Sequence, residues 1–310
     1  MKKSLASWSL LFLCNLMWSL QFTCIKLVQD QIGAFCTVFI PMLLATLFML
    51  PFVYKQVKRN KKRKLSDLKI FVLLALFGQF PAQVLMTFGT QQSTASNAAI
   101  INLSLPVVSA LLAVVFLKEK INNLRWVCFI VAIAGVILCS MKDIMNTNFS
   151  IQYLIGNLLI FSGVLGSGLY NTICKKISEE YTEMEMLFFT YIFMVLLLAP
   201  FVLYQERYVF TNIPSFTQNT WTGLILLTVF HNFLSMILFF TALKNLEAIQ
   251  VALSNFLITF FGLPIAALWL HEKLNIISII GGALVLISTI AITVWEYKQT
   301  TQTKSVVSSE

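Results

Sequence analysis

The chain has 310 residues, of which 58% are hydrophobic and only 11% are charged. Soluble domains carry about 25% charged and 45–50% apolar residues, so this composition, with a mean hydropathy of +0.82, excludes a soluble globular protein. The formal net charge of +9 does not indicate a nucleic-acid partner, because the basic residues lie mainly in short connections between apolar segments. The sequence therefore predicts a polytopic membrane protein.

Ten apolar stretches follow one another along the chain, most near the roughly 20 residues that a helix needs to cross a bilayer core. They lack the period-two alternation of membrane β-strands, so we expect helices. Lys2 and Lys3 precede the first stretch, but no small-residue cleavage site follows it, so we interpret it as a retained helix rather than a signal peptide. The predicted spans are 7–27, 33–54, 70–90, 96–117, 125–141, 153–173, 185–204, 221–243, 248–270 and 275–295.

The connections between these spans are too short to fold as separate domains. The longest polar stretches are 55–69, 205–220 and the tail after Trp295. No glycine is followed by lysine, so the sequence has no Walker A loop for a nucleotide. An ATP-driven pump on this polypeptide is excluded, and we expect neither a cofactor nor a metal ion.

Basic residues predict the orientation in the membrane. With the N-terminus in the cytoplasm, 18 of the 22 Lys and Arg residues fall on the cytoplasmic side, which satisfies the positive-inside rule with both termini cytoplasmic. The cluster from Lys55 to Lys69 is interpreted as a topology and lipid-headgroup determinant. The six cysteines lie in or beside spans without C-x-x-C spacing and are interpreted as apolar packing residues.

The two halves of the chain resemble each other. An offset of 153 residues aligns Asn102 with Asn255 and Glu119 with Glu272. Each copy contains five spans, and because five is odd the second copy must enter the membrane from the opposite side. Such inverted repeats are typical of secondary transporters that work by alternating access. The predicted units are a first five-helix repeat (1–141), a linker (142–152), a second, inverted repeat (153–295) and a cytoplasmic tail (296–310).

The repeated motif resembles the EamA domain of the drug/metabolite transporter superfamily. In each half an apolar span ends in Leu-x-Glu-x, at Leu117 and at Leu270, before a glycine-containing span. Trp18-Ser19 with Lys26 is similar to the Trp-Gly…Lys signature of that family's first helix, with Ser19 in place of the usual glycine. The resemblance covers nearly the whole chain. It implies ten helices and the transport of a small molecule, commonly the export of amino acids or other metabolites.

One ionisable side chain lies near the middle of a span. All 13 acidic residues fall in loops or near span ends, so a carboxylate proton relay within the membrane is not expected. His231 has an ordinary pKa near neutrality, which suits proton exchange, and an offset of 152 residues aligns it with Gln79. The alternative is a neutral imidazole that is hydrogen-bonded to a neighbouring helix.

Other polar and aromatic side chains within spans are candidates for contact with a solute, with helix packing as the alternative for each. The predicted solute-binding residues are Trp18, Gln79, Gln83, Asn102, Tyr170, His231, Asn232 and Asn255. Pro81, Pro106 and Pro264 interrupt spans and are candidate gating joints, or else static kinks. Glu119 and Glu272 each precede a span by a few residues and are interpreted as complementing that helix N-terminus.

These observations favour a secondary transporter that exports a small polar or amphipathic metabolite, with His231 as the proton-coupling residue. Proton-coupled uptake is the closest alternative, because sequence does not set direction. Ser167 and His231 weakly suggest an intramembrane hydrolase, but Ser167 has no G-x-S-x-G elbow; a channel or scaffold is a further alternative. The expected partners are a solute and membrane lipids, and the chain is a monomer or homodimer.

Overall fold

The described part of the chain consists of helices joined by short turns. The computed structural model describes residues 2–59, 68–117, 123–140, 151–177, 180–245, 254–272 and 276–307. These ranges contain no β-strand, which confirms the prediction of an all-α protein. Most of the basic cluster, the loop that carries Glu119 and most of the predicted linker lie outside the described residues.

The described helices are numbered in chain order. Those of the first half are α1 (Lys2–Ser19), α2 (Gln21–Val28), α3 (Ala34–Arg59), α4 (Leu68–Leu73), a π-helical segment (Leu74–Leu85), α5 (Met86–Gln92), α6 (Ala95–Asn102), α7 (Leu105–Leu117) and α8 (Asn123–Ser140). Those of the second half are α9 (Ile151–Ile177), α10 (Glu183–Gln205), α11 (Tyr208–Thr211), a 3₁₀ turn (Ile213–Ser215), α12 (Gln218–Ile225), a π-helical segment (Leu226–Leu234), α13 (Ser235–Asn245), α14 (Phe256–Trp269) and α15 (Ile276–Val307).

Six helical stretches of the described chain are long and apolar enough to cross a membrane, so the structure agrees with the prediction of a multi-pass membrane protein. They are Ser7–Val28, Ala34–Lys55, Leu68–Gln92, Ile151–Cys174, Glu183–Gln205 and Gln218–Ala242. The fourth predicted span is divided into α6 and α7. The remaining three contain shorter apolar segments at Trp126–Gly135, Leu257–Trp269 and Ile279–Ala291.

Helix α6 ends in the middle of the fourth predicted span because Pro106 has no backbone N–H to continue the helical ladder. The N–H groups of Leu103 and Ser104 turn back to the carbonyls of Ile100 and Ile101, each at 3.0 Å. The Ser104 hydroxyl also donates to the Ile101 carbonyl at 2.7 Å. The span is therefore two half-helices that meet at a buried polar turn.

Close helix packing fixes the position of the first π-helical segment against α9. A Cβ atom added at Gly166 would lie 2.7 Å from Cβ of Pro81 and 2.8 Å from the backbone nitrogen of Ala82. In α5, which continues the π-helical segment, a Cβ atom at Gly89 would lie 2.5 Å from the carbonyl oxygen of Gly156 in α9. Small residues let membrane helices approach this closely, so the polar residues of the two helices face each other at short range.

Candidate functional site

A cavity lies between helices contributed by both halves of the chain. Its volume is about 70 Å³, enough for about five water molecules. The lining combines amide, hydroxyl, imidazole and indole groups with apolar side chains. The lining residues are Trp18, Gln21, Gln79, Ala82, Gln83, Met86, Asn102, Leu105, Ser167, Tyr170, Asn171, His231, Met236 and Ile258.

Gln79 and His231 occupy matching places in the two π-helical segments. Each is the sixth residue of its segment, Leu74–Leu85 or Leu226–Leu234. Each also lies near the middle of a membrane-length stretch, Leu68–Gln92 or Gln218–Ala242. Because π-helical turns are rare and concentrate at functional sites, their occurrence at both places marks these two cavity-lining residues.

Four buried polar atoms of the cavity lining have no hydrogen-bond partner among the described residues. They are the Trp18 indole Nε1, the Gln79 amide Oε1, the Tyr170 hydroxyl and the His231 imidazole Nδ1. The Tyr170 hydroxyl lies beside Gln79 and the Cys174 thiol, but without the geometry of a hydrogen bond to either. An unsatisfied buried polar group costs about 1–3 kcal/mol, so the free energy favours a ligand or ordered water that pairs these atoms.

Aromatic neighbours fix two of these side chains. The Trp18 ring packs against Phe239 with centroids 4.8 Å apart, and the Tyr170 ring meets Phe240 edge-on at 6.2 Å. Such contacts hold a ring without satisfying its polar atom. The rings of Trp18 and Tyr170 are therefore held in place by aromatic packing.

The cavity lining carries no side chain with a permanent charge. All of its polar members are neutral amides, hydroxyls, an indole and one imidazole. In the described chain no group of three His, Cys, Asp or Glu residues is arranged to hold a metal ion. Recognition in this cavity would therefore depend on hydrogen bonds, aromatic contacts and the protonation of His231.

The structure brings six of the eight predicted solute-binding residues to this one cavity. They are Trp18, Gln79, Gln83, Asn102, Tyr170 and His231. The apolar members of the lining were not predicted. Ala82 and Met86 follow Gln79 by three and seven residues, so the helical face shared with Gln83 was the signal that could have identified them.

Asn232 and Asn255 lie outside the cavity lining. The Asn232 amide donates to the Leu227 carbonyl at 2.9 Å, and the Tyr191 hydroxyl donates to the Asn232 backbone carbonyl at 3.0 Å. Asn255 is buried at the start of α14. Adjacent residues of a helix point in different directions, and the Asn232 amide is turned to the Leu227 carbonyl, so His231 lines the cavity and Asn232 does not.

The three predicted gating prolines have different surroundings. Pro81 lies inside the first π-helical segment, two residues from Gln79, and packs against Gly166. Pro106 is buried at the start of α7, next to the cavity residue Leu105. Pro264 lies within α14 and is exposed on the helix surface.

The described helices are those of a multi-pass membrane protein. The chain belongs to the EamA-like transporter family, because the sequence profile of that family matches residues 6–141 and again 154–294. This membership, predicted from the repeated motif, is thereby confirmed, and it identifies the chain as a transporter and not an enzyme.

Several related proteins can be aligned with most of this chain. An "uncharacterized transporter YetK" of Bacillus subtilis is 22% identical over 88% of this chain and 82% of its own length. An "uncharacterized transporter" of Archaeoglobus fulgidus is 26% identical over 88% and 92%. An "S-adenosylmethionine uptake transporter" of Rickettsia conorii is 25% identical over 88% and 87%. A crystal structure with 11% identity aligns with a TM-score of 0.64 over 94% of this chain and 98% of the other, which supports the fold alone.

Proposed function

We propose that this protein is a secondary active transporter that exports a small polar or amphipathic metabolite, such as an amino acid, across the cytoplasmic membrane. The observation that carries the proposal is a cavity lined by residues of both halves of the chain, four of which have a buried polar atom without a hydrogen-bond partner among the described residues. A transporter needs such a site to hold its solute transiently. The cavity volume of about 70 Å³ favours a small solute.

The proposed architecture is ten transmembrane helices arranged as two inverted five-helix repeats, 1–141 and 153–295. Two separate matches to one family profile support this division, and so do the two π-helical segments at equivalent positions. Exchange of the two repeat conformations would open the cavity alternately to either side. The charge distribution supports cytoplasmic termini.

In this proposal the neutral groups of the lining bind the solute. Gln79, Gln83 and Asn102 supply amide donors and acceptors, while Trp18 and Tyr170 supply ring faces and one donor each. His231 binds the solute and also carries the coupling proton, because it is the one titratable imidazole in the described lining. We assign Asn232 and Asn255 to the walls that support the site.

Pro81, Pro106 and Pro264 are proposed as joints of the gating motion. The position of Pro81 supports this role most directly, because Pro81 lies two residues from Gln79 and makes the close contact with Gly166 of α9. A missing backbone hydrogen bond lowers the cost of bending at such a point.

Proton-coupled uptake is the second candidate function. Relatives named S-adenosylmethionine uptake transporters support inward transport. The direction of net flux follows from the driving force and not from the cavity.

Reconstituted protein tests the proposal. Proteoliposomes would be screened for flux of amino acids and related metabolites, with and without an imposed pH gradient. Flux that responds to the gradient in the parent, but not in His231→Ala, supports proton-coupled transport through His231. Thr228→Val is the matched control, because Thr228 is buried in the same π-helical segment, its hydroxyl donates to the Leu224 carbonyl, and it is not among the described lining residues of the cavity. The absence of flux for every solute would contradict the proposal.

A further inference from the structure

We propose that Glu272 is a positioning residue whose carboxylate keeps the cavity closed on the face of the bundle where α6 begins. The proposal rests on the proposed function in one respect, which is that the cavity opens to this face during transport. Release of the Glu272 carboxylate from α6 would accompany that opening. The contacts that carry the proposal are all at this face of the described chain.

The Glu272 carboxylate binds the N-terminus of α6. One oxygen accepts the Ala95 N–H and the other accepts the Ser96 N–H, both at 2.9 Å. The Thr94 hydroxyl accepts the next N–H, that of Asn97, at 3.0 Å. A carboxylate at a helix N-terminus is stabilised by both hydrogen bonds and the helix dipole. The bound helix is not the one that follows Glu272 in the chain, which corrects the prediction made from sequence.

Helix α6 connects this contact to the cavity. It has only eight residues, all of them buried, and spans about 12 Å at 1.5 Å per residue. Its last residue, Asn102, lines the cavity. The Thr259 hydroxyl donates to the Ala99 carbonyl at 2.7 Å, which couples α6 laterally to α14. A displacement of the N-terminal end of so short a helix would therefore reach Asn102.

Lys26 connects α2 to the region where Glu272 binds α6. Its ammonium group donates to the Gln91 carbonyl at 3.0 Å, just before the turn that leads into α6. The positive charge of Lys26 also interacts with the carboxylates of Glu272 and Asp30. Helix α2, which carries Lys26, carries the cavity residue Gln21 at its other end. Glu272, which follows α14, thus binds α6 directly and interacts with α2 through the charge of Lys26.

A second carboxylate provides a matched control. Glu206 accepts the N–H groups of Phe35 and Cys36, at 3.1 and 2.7 Å, at the N-terminus of α3. The chemistry and the face of the bundle are the same as for Glu272. However, α3 contributes none of the described lining residues. If a carboxylate cap only stabilises the fold, the two glutamates should behave alike.

The test measures access to the cavity and uses no solute, so its result does not depend on whether the proposed transport is observed. In the full-length chain with its native cysteines replaced, Gln21→Cys places one reporter thiol in the cavity lining. A membrane-impermeant maleimide is applied to right-side-out and to inside-out membrane vesicles. The ratio of the two labelling rates reports which side the cavity opens to.

We expect Glu272→Gln to raise labelling from the face that carries Glu272 by roughly tenfold relative to the opposite face, because one charge-assisted hydrogen bond to α6 is lost. Ala95→Pro should shift the ratio in the same direction. It removes a single donor while Thr94, with ψ of 154°, already has the backbone geometry that a following proline needs. Glu206→Gln should leave the ratio within about twofold of the parent.

Several results would overturn this role of Glu272. One is that Glu272→Gln and Ala95→Pro both fold but keep the labelling ratio of the parent. Folding is checked by size-exclusion chromatography and thermal unfolding in detergent. A second is an equal shift in Glu206→Gln. A third is a reporter that stays unlabelled from both faces in every variant. Loss of folded protein in both Glu272→Gln and Ala95→Pro would make Glu272 a structural cap and would also overturn the proposal.

Discussion

Gln79 and His231 lie 152 residues apart in the chain, occupy the sixth position of two separate π-helical segments, and line the same cavity. One of them is an amide that cannot change its charge and the other is an imidazole that can. One half of the chain thus contributes a titratable group to the cavity lining, while the other half contributes an amide of constant charge at the corresponding position.

Removal of the Tyr170 hydroxyl should weaken solute binding without lowering the stability of the protein. The hydroxyl is buried without a hydrogen-bond partner among the described residues, so Tyr170→Phe should leave the free energy of unfolding unchanged or raise it by up to about 1 kcal/mol. The same substitution should weaken solute binding, with KM for flux raised by roughly tenfold. Thermal unfolding in detergent and flux in proteoliposomes check the two parts.

Tyr191→Phe is the matched control for that experiment. The Tyr191 hydroxyl donates to the Asn232 backbone carbonyl and lies outside the cavity lining. Its loss should therefore lower stability by about 0.5–1.5 kcal/mol and leave KM near the parental value. A stability loss in Tyr170→Phe as large as that in Tyr191→Phe, with unchanged KM, would contradict a solute-binding role for Tyr170.

Much of the site could be predicted because its residue types are out of place in a span. Trp18, Gln79 and His231 are polar or amphipathic groups near the middle of apolar stretches, where an unpaired polar group is costly. The offset of 152 residues between the two halves also pairs Gln79 with His231 from the sequence alone. Asn232 satisfied the same criteria, but its orientation depends on a hydrogen bond to Leu227 that composition does not encode.

The partner of Glu272 could not be predicted from the sequence. The carboxylate binds backbone N–H groups at Ala95 and Ser96, 177 and 176 residues away. Backbone groups carry no residue signature, so the sequence around α6 gives no sign of its partner. The sequence next to Glu272 indicates the helix that follows, α15, whereas the carboxylate binds the N-terminus of α6.

Gly166 should be intolerant of a side chain. A Cβ atom at this position would lie 2.7 Å from Cβ of Pro81 and 2.8 Å from the Ala82 backbone nitrogen, so α9 and the first π-helical segment would have to separate. We expect Gly166→Ala to lower the free energy of unfolding by about 1–3 kcal/mol and to reduce flux, because Gln79 and Tyr170 lie on the two separated helices.

Gly262→Ala is the corresponding control. A Cβ atom at Gly262 would meet the Ser19 carbonyl oxygen at 3.4 Å and Cβ of Ala99 at 3.6 Å, both ordinary contacts. This variant should retain parental stability or gain a few tenths of a kcal/mol from helix propensity. Equal thermal unfolding temperatures for Gly166→Ala and Gly262→Ala would show that the contact with Pro81 does not limit the approach of α9.

The backbone of His271 should determine how well Glu272 reaches α6. His271 follows α14 with a φ of 54°, the left-handed region, and its side chain is exposed. A β-branched residue such as valine adopts the left-handed region poorly, and placing one there costs about 1–2 kcal/mol of stability. His271→Val should therefore lower stability by about that amount and shift the vesicle-labelling ratio of the Gln21→Cys reporter in the same direction as Glu272→Gln. His271→Gly and His271→Asn accept this φ more readily, so both should keep the parental ratio. If all three His271 variants gave the same vesicle-labelling ratio, the backbone conformation of His271 would not help to hold Glu272 against α6.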